Sequence, residues 1–344
     1  MTDLSREAII CQRIFNNGLQ DKLTSIASLL SQSLGIQAQY INHALFNIST
    51  RLDPKYFHSF SELEQTSILA WGQRQTYHFY QNETWQDIVT FLAEQPLWPE
   101  KVLTEAGINL PLVSKKLEKF LDTKRTRQEV LDFFDDDSNT LFQWGALFLL
   151  HSRQGQLYHT WTSQNVRYVH WQKLNLSTPA PPLMELLLHR YFAFYGPATL
   201  ADAAHFFGLK QSHLSKIPLN NLQTTTYQGK TYYFETYHEE ARLPEIVVLG
   251  KFDPLLIAYA NKDVLINKEK QAKVWKKAGQ ISAIILKNGQ LAATWTFSNK
   301  KRDISFTVEV HDKLLKKDKK KIESVFTNYC RQMNKPLKSI NYLE

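Results

Sequence analysis

Cysteine is nearly absent from the chain of 344 residues: only Cys11 and Cys330 occur, at opposite ends. That excludes a disulfide framework and a C-x-x-C metal pair. The opening Met1-Thr2-Asp3-Leu4-Ser5-Arg6-Glu7 lacks a basic segment followed by an apolar core, and no uninterrupted apolar run approaches membrane-spanning length. The expectation is therefore a cytoplasmic protein without membrane contact. None of the 11 histidines shows H-x-x-x-H or Cys/His ligand spacing, so His151, His159, His170 and His205 are read as structural and no metal is expected. A G-x-S-x-G elbow, a Gly-rich phosphate loop and a zinc-deaminase signature are all missing, which counts against ester hydrolases, NTPases and base deaminases.

What is present is an ordinary globular composition, 43% hydrophobic and 12% aromatic, long enough for several modules that each bury a core. Lys and Arg number 41 against 33 Asp and Glu, giving a net charge of +8 that favours a polyanionic partner.

Apolar residues at helical spacing from Leu23 to Leu34 stop at Gly35, and the set resumes at Tyr40, Ile41, Leu45, Phe46 and Ile48, so residues 7–49 read as helix, turn, helix. Ser61-Glu62-Leu63-Glu64 and Thr84-Trp85-Gln86-Asp87 look like helix caps on either side of an aromatic, extended stretch from Ile68 to Tyr80, a candidate wing. A second cycle has a cap at Thr126-Arg127-Gln128-Glu129, a helix from Leu141 to Leu150, and a hairpin of Leu157–Trp161 with Val166–His170. The third cycle has helices over Leu183–Tyr195, Leu200–Phe207 and Gln211–Leu222, then a hairpin around Gln228-Gly229-Lys230. The last hundred residues change to strands at Ile246–Leu249, Ile281–Leu286, Leu291–Phe297 and Ile304–Val310, with a hairpin at Asn288-Gly289 and a lysine-rich helix over about 312–333. The expected fold class is α+β: three tandem winged helix-turn-helix units over 1–95, 96–178 and 179–243, and a β-rich C-terminal domain over 244–344 ending in a basic helix.

On this reading Gln37 and Gln39 stand at the start of a recognition-type helix. Amides are poor general bases, yet they hold a water by accepting and donating hydrogen bonds, which suffices when the leaving group is already activated. Residues two apart on a continuous helix point about 200° apart, so both amides converge only where the backbone is irregular. Pattern alone favours the plainer alternative, with Gln37 a helix cap and Gln39 facing solvent.

Gly35-Ile36-Gln37-Ala38-Gln39-Tyr40, Arg74-Gln75-Thr76-Tyr77-His78, Tyr195-Gly196-Pro197-Ala198-Thr199 with Ala201-Asp202, Phe252-Asp253-Pro254 through Tyr259, and Gly289 through Trp295 resemble, in order, the motifs of the AlkZ and YcaQ family of bacterial alkylpurine DNA glycosylases. The match runs nearly end to end. It implies tandem winged helices held by a β-rich part, and hydrolysis of the N-glycosidic bond of N7-alkylated purines in double-stranded DNA. In some members it implies unhooking of interstrand crosslinks, without metal or organic cofactor. By that resemblance Gln37 and Gln39 are the catalytic pair and Arg74, Thr76 and His78 contact DNA. An N7-alkylated purine carries a positive charge that departure neutralises, leaving a sugar of oxocarbenium character that a held water attacks.

Lys300, Lys301 and Arg302, in a hairpin, read as a phosphate clamp, whereas the run Lys316–Lys321 reads as a solvated helix face. Where the family often has Gly-Tyr followed by Arg-Asp, this chain has Ala258-Tyr259-Ala260-Asn261-Lys262, with Lys262 standing in as a point charge. No Schiff-base lysine is evident, so a monofunctional glycosylase is expected; three wings and a closing sheet look like a clamp around one duplex, which a monomer fits. The rival is a transcriptional regulator without chemistry, its glutamines contacting adenine edges from a recognition helix.

Overall fold

The computed structural model describes residues 3–174, 176 and 178–343; Met1 and Thr2, the start of the segment read above for a leader, lie outside it. Its N-terminal sheet holds six strands: β1 (Ile36–Gln37), β2 (Ile68–Trp71), β3 (Tyr77–Tyr80), β4 (Arg125–Thr126), β5 (Leu157–Trp161) and β6 (Arg167–Trp171). The spatial order is β1-β3-β2-β5-β6-β4, with every pairing antiparallel. All residues of β2 and β3 are buried, as expected for central strands covered on both faces. The two-residue strands β1 and β4 end the sheet, too short to invite further pairing.

This sheet changes three expectations. The stretch from Ile68 to Tyr80 is a hairpin, folded back at Gln73–Gln75, where Arg74 and Gln75 have positive φ. That hairpin and the one made by β5 and β6 do not stand apart as two wings; they join through Leu69↔His159. Gln37, expected at a helix start, lies in an edge strand opposite His78.

The capping box read at Thr126 with Glu129 forms, and a second joins Thr199 with Asp202 ahead of the helix Leu200–Phe207. Two others do not: the helix Ser61–Thr66 is preceded by Phe60 and contains Ser61, and the helix Asn82–Phe91 starts before Thr84. The continuous helix expected over 141–150 is broken at Gln143–Gly145, where Trp144 and Gly145 take positive φ, and Gln211–Leu214 is a single turn rather than a long helix.

A separate hairpin pairs β7 (Gln223–Tyr227) with β8 (Lys230–Phe234). The C-terminal sheet contains β9 (Ile246–Leu249), β10 (Ala283–Lys287), β11 (Gln290–Asn299), β12 (Ile304–Val310) and β13 (Leu337–Leu343), ordered β13-β12-β11-β10-β9. The β10–β11 turn is Asn288-Gly289, both at positive φ, as a two-residue hairpin of this hand demands. Strand β13, which the sequence reading did not contain, pairs parallel with β12 after the helix Lys316–Gln332. That helix covers the inner face, stacking Phe326 on Phe306 at 3.9 Å between ring centroids.

The same inner face receives the helix Ile41–Ser49. Phe46 meets Trp295 at 4.6 Å and His43 meets Phe297 at 4.9 Å. The helix that follows the two glutamines is thus sandwiched against the C-terminal sheet. Its N-terminal end, with Gln39 and Tyr40 exposed, is left open to solvent.

Candidate active site

The chain leaves the helix Ile26–Gln32 through Leu34 and Gly35, both at positive φ. A side chain at Gly35 would place its Cβ 2.3 Å from the Tyr80 ring, so glycine alone lets β1 lie against β3. The turn 73–75 is tied to this crossing: Tyr80 Oη donates to Gln73 Oε1 at 2.5 Å, and Gln73 Nε2 donates to the Leu34 carbonyl at 3.0 Å.

Past β1 the chain runs through Ala38, whose N–H donates to the Tyr77 carbonyl at 2.7 Å, bends at Gln39 and Tyr40, and enters the helix at Ile41 with no side-chain cap bond. Gln37 is therefore not a helix cap. Residues two apart on extended backbone point to one side, which is why the amides meet. Gln37 Nε2 donates to Gln39 Oε1 at 2.5 Å. Gln37 is 5% exposed while Gln39 is open to solvent. The pair thus has a buried inner member and an outer member facing whatever docks.

Arg74 orients the inner member. Its Nη2 donates to Gln37 Oε1 at 2.9 Å and its Nη1 to the Phe206 carbonyl at 2.7 Å. Phe206 lies in the last turn of the helix Leu200–Phe207, where the helix dipole favours a cation by about 0.3–1 kcal/mol. Burial of the guanidinium pulls the Arg74 pKa below its ordinary value, yet no biological pH neutralises arginine. Arg74 therefore remains a fixed donor. Gly208 at the same helix end packs against the Arg74 backbone, so the turn carrying Arg74 is gripped from both sides.

His78, across from Gln37, is 1% exposed. Burial, helped by nearby Arg74, lowers its pKa to about 3, so it is neutral. Its Nδ1–H donates to the Thr76 carbonyl at 2.8 Å, and Nε2 is buried with no partner among the described residues. Thr76 is half-buried and donates its hydroxyl to the Gln73 carbonyl at 3.0 Å. Arg74, Thr76 and His78, read from the sequence as DNA contacts, have their side chains engaged or buried behind the glutamine pair; His78 offers no surface to a phosphate.

Lys300, Lys301 and Arg302 are exposed at the β11–β12 turn. Lys335 Nζ donates to Asn299 Oδ1 at 2.6 Å and to the Lys300 carbonyl at 2.9 Å, and Asn299 reaches Asn42 at 3.4 Å. Asn42 begins the helix just past Gln39, so the basic turn and the glutamine pair share one end of the molecule.

Tyr40 was not singled out as a site residue by sequence. Its ring stacks on Phe252 at 5.6 Å and 12°, Lys251 Nζ lies 5.1 Å over it, and its hydroxyl donates to Gln280 Oε1 at 2.8 Å. No local pattern pairs Tyr40 with residues more than two hundred positions later. Among the described residues, no group of three or more His, Cys, Asp and Glu side chains could hold a metal ion, and no helix is long and apolar enough to cross a membrane.

Residues 31–331 match the family model described as DNA glycosylase AlkZ-like. A curated relative, the interstrand DNA cross-link repair glycosylase of Streptomyces sahachiroi, is 23% identical over 306 residues, covering 79% of this chain and 82% of the relative. The solved Streptomyces sahachiroi DNA glycosylase AlkZ superposes with a TM-score of 0.78 at 19% identity, covering 99% of this chain and all of that one. At that identity the likeness carries the fold.

Proposed function

The chain belongs to the DNA glycosylase AlkZ-like family, and from that premise we propose that it hydrolyses the N-glycosidic bond of N7-alkylated purines in duplex DNA, interstrand crosslinks through such purines included. The products are a free base and an abasic site. The printed activity of the Streptomyces relative supports extending the substrate to crosslinks.

The observation that carries the reading is the convergence of Gln37 and Gln39 under Arg74. The Gln37 carbonyl is engaged by Arg74 and one of its amide N–H groups by Gln39, which leaves the second lone pair of Gln39 Oε1 and the Gln39 N–H groups to hold a water. A cationic purine needs no protonation to leave, so a site without a general acid suffices. The negative end of an oriented amide also favours the positive charge that develops on the sugar. Lys300, Lys301 and Arg302 hold the backbone beside the lesion, and Arg74, Thr76 and His78 serve by fixing the pair.

The regulator reading needs the helix after the glutamines to enter a groove. Residues 43–49 of that helix are buried against the rest of the fold, which favours chemistry over base reading. The same proposal takes the protein as a cytoplasmic, monofunctional monomer without metal or organic cofactor, with 1–95, 96–178 and 179–243 as diverged winged-helix units, the first two merged through one sheet, that clamp duplex DNA.

Release of N7-methylguanine from methylated duplex DNA tests the activity. Release by the wild type is expected. No release from methylated DNA, and no unhooking of a crosslinked duplex at high enzyme, would sink the reading.

A further inference from the structure

A cleft of about 500 Å³ lies between the segment 273–282 and the C-terminal sheet, on the face turned away from the helix Lys316–Gln332. Lys251, Lys273 and Lys276 line it, and Thr296 and Thr307, paired across β11 and β12, place hydroxyls on its floor. None of these lysines makes an ion pair among the described residues. On the terminal helix, by contrast, Lys317 and Lys321 are both paired with Glu245.

Among the described residues the cleft's lining holds one carboxylate, Glu309, and its neighbours already occupy it. Lys273 Nζ donates to His311 Nδ1 at 3.2 Å, His311 Nε2 donates to Thr294 Oγ1 at 3.1 Å, and Thr294 donates to Glu309 Oε2 at 3.3 Å. Three cations against one engaged acid leave a net positive groove with hydroxyl donors, which is chemistry for phosphate oxygens.

The groove also starts at the active site. Lys251 sits over the Tyr40 ring, and Gln280, from the segment that walls the cleft, accepts the Tyr40 hydroxyl. Tyr40 follows Gln39 directly. A duplex with its lesion at Gln39 carries a phosphate on each strand about every 3.4 Å along its axis, so the backbone leaving the lesion needs cations at this place.

Resting on the glycosylase reading, we propose that this cleft is a phosphate track, in which Lys251, Lys273 and Lys276 hold the DNA backbone on the Tyr40 side of the glutamine pair. It is distinct from the Lys300–Arg302 turn and extends the footprint across the outer face of the C-terminal sheet.

The test uses the full chain and duplex DNA. Lys273→Ala with Lys276→Ala is made beside Lys316→Ala with Lys320→Ala, which removes equal charge from the terminal helix. All four side chains are exposed, so both variants are expected to fold. Affinity for undamaged duplex is measured against salt, and base release from methylated duplex is resolved into kcat and KM. The cleft variant is expected to lose about 1 to 2 from the log–log salt slope, with KM raised roughly tenfold and kcat kept. The terminal-helix variant is expected to follow the wild type. A cleft variant with wild-type slope and KM, or an equal loss in the terminal-helix variant, overturns the proposal. Failure of the wild type both to release base from methylated duplex and to unhook a crosslinked duplex would instead overturn the glycosylase reading, and the salt slopes would still decide the cleft.

Discussion

Gln37 Nε2 donates to Gln39 Oε1 at 2.5 Å, from the end of the edge strand β1 to the bend that precedes the helix at Ile41. This contact makes one unit of two amides, with the buried member held by Arg74 and the exposed member left to meet a substrate.

Replacing both glutamines, Gln37→Ala with Gln39→Ala, is expected to lower N7-methylguanine release by about 100-fold or more, the usual effect of removing an oriented dipole at a developing charge. The Kd for undamaged duplex should stay near the wild-type value, because Gln37 is nearly buried and neither amide is charged. Loss of binding in step with activity would show that the pair only shapes the surface.

Arg74→Lys tests whether Arg74 positions Gln37 or grips DNA. Lysine cannot serve Gln37 and the Phe206 carbonyl with a planar fork, so kcat is expected to fall while the salt slope of binding stays unchanged. Retention of kcat in Arg74→Lys, with the salt slope lowered by about 1 in Arg74→Gln, would return Arg74 to the role of a phosphate contact.

Acid should destabilise the fold through two buried histidines. Burial, with Arg74 nearby, holds the His78 pKa at about 3; burial, with Lys251 nearby, does the same for His43. Both lie below the unfolded value of about 6.5, so the unfolded chain binds more protons in between. The stabilisation is therefore complete above pH ~6.5 and is lost as pH falls toward ~3. His43 Nδ1 accepts the Lys251 backbone N–H at 3.2 Å, a bond that protonation removes. The urea midpoint should drop between pH 7 and pH 5, and less so in His78→Gln. A midpoint equal at both pH values would contradict the burial argument.

Asp253, in the Phe252-Asp253-Pro254 motif, is fully buried and accepts both Arg51 Nη1 at 2.8 Å and Nη2 at 2.7 Å. It also accepts the Leu255 N–H at the start of the next helix, and Arg51 donates to the Asn47 carbonyl. The pair locks the end of the helix Ile41–Ser49 to the C-terminal domain. Asp253→Asn leaves Arg51 charged and buried, which is expected to cost about 3–5 kcal/mol, read as a lowered Tm or urea midpoint. A loss below ~1 kcal/mol would mean that water or another group reaches Arg51.

Local chemistry was the legible part of the chain. The capping boxes at Thr126 and Thr199 formed because donor and acceptor lie three residues apart on one helical turn, and the Asn288-Gly289 hairpin formed because both residues tolerate positive φ. Ser61 and Thr84 carry similar patterns and ended inside helices, because packing, not the pattern, set where those helices begin. Strand β13 escaped notice because its parallel partner β12 lies beyond a whole helix, and its burial pattern is mixed.

The candidate site divides the same way. Gln37, Gln39 and Arg74 were named from motif order alone, and the family match bears out the resemblance on which they rest. Residue type and order were enough for that, since the motif stays within a few residues of chain. Whether two glutamines two positions apart could meet was undecidable from their spacing, because a helix separates them and a strand aligns them. Pairing with β3 chose the strand, Gly35 and the Tyr80–Gln73 bond hold it there, and the C-terminal sheet buries the following helix while bringing Lys251 over Tyr40. Those choices arise from contacts between residues far apart in the chain, where burial and hydrogen-bond satisfaction outweigh local preference.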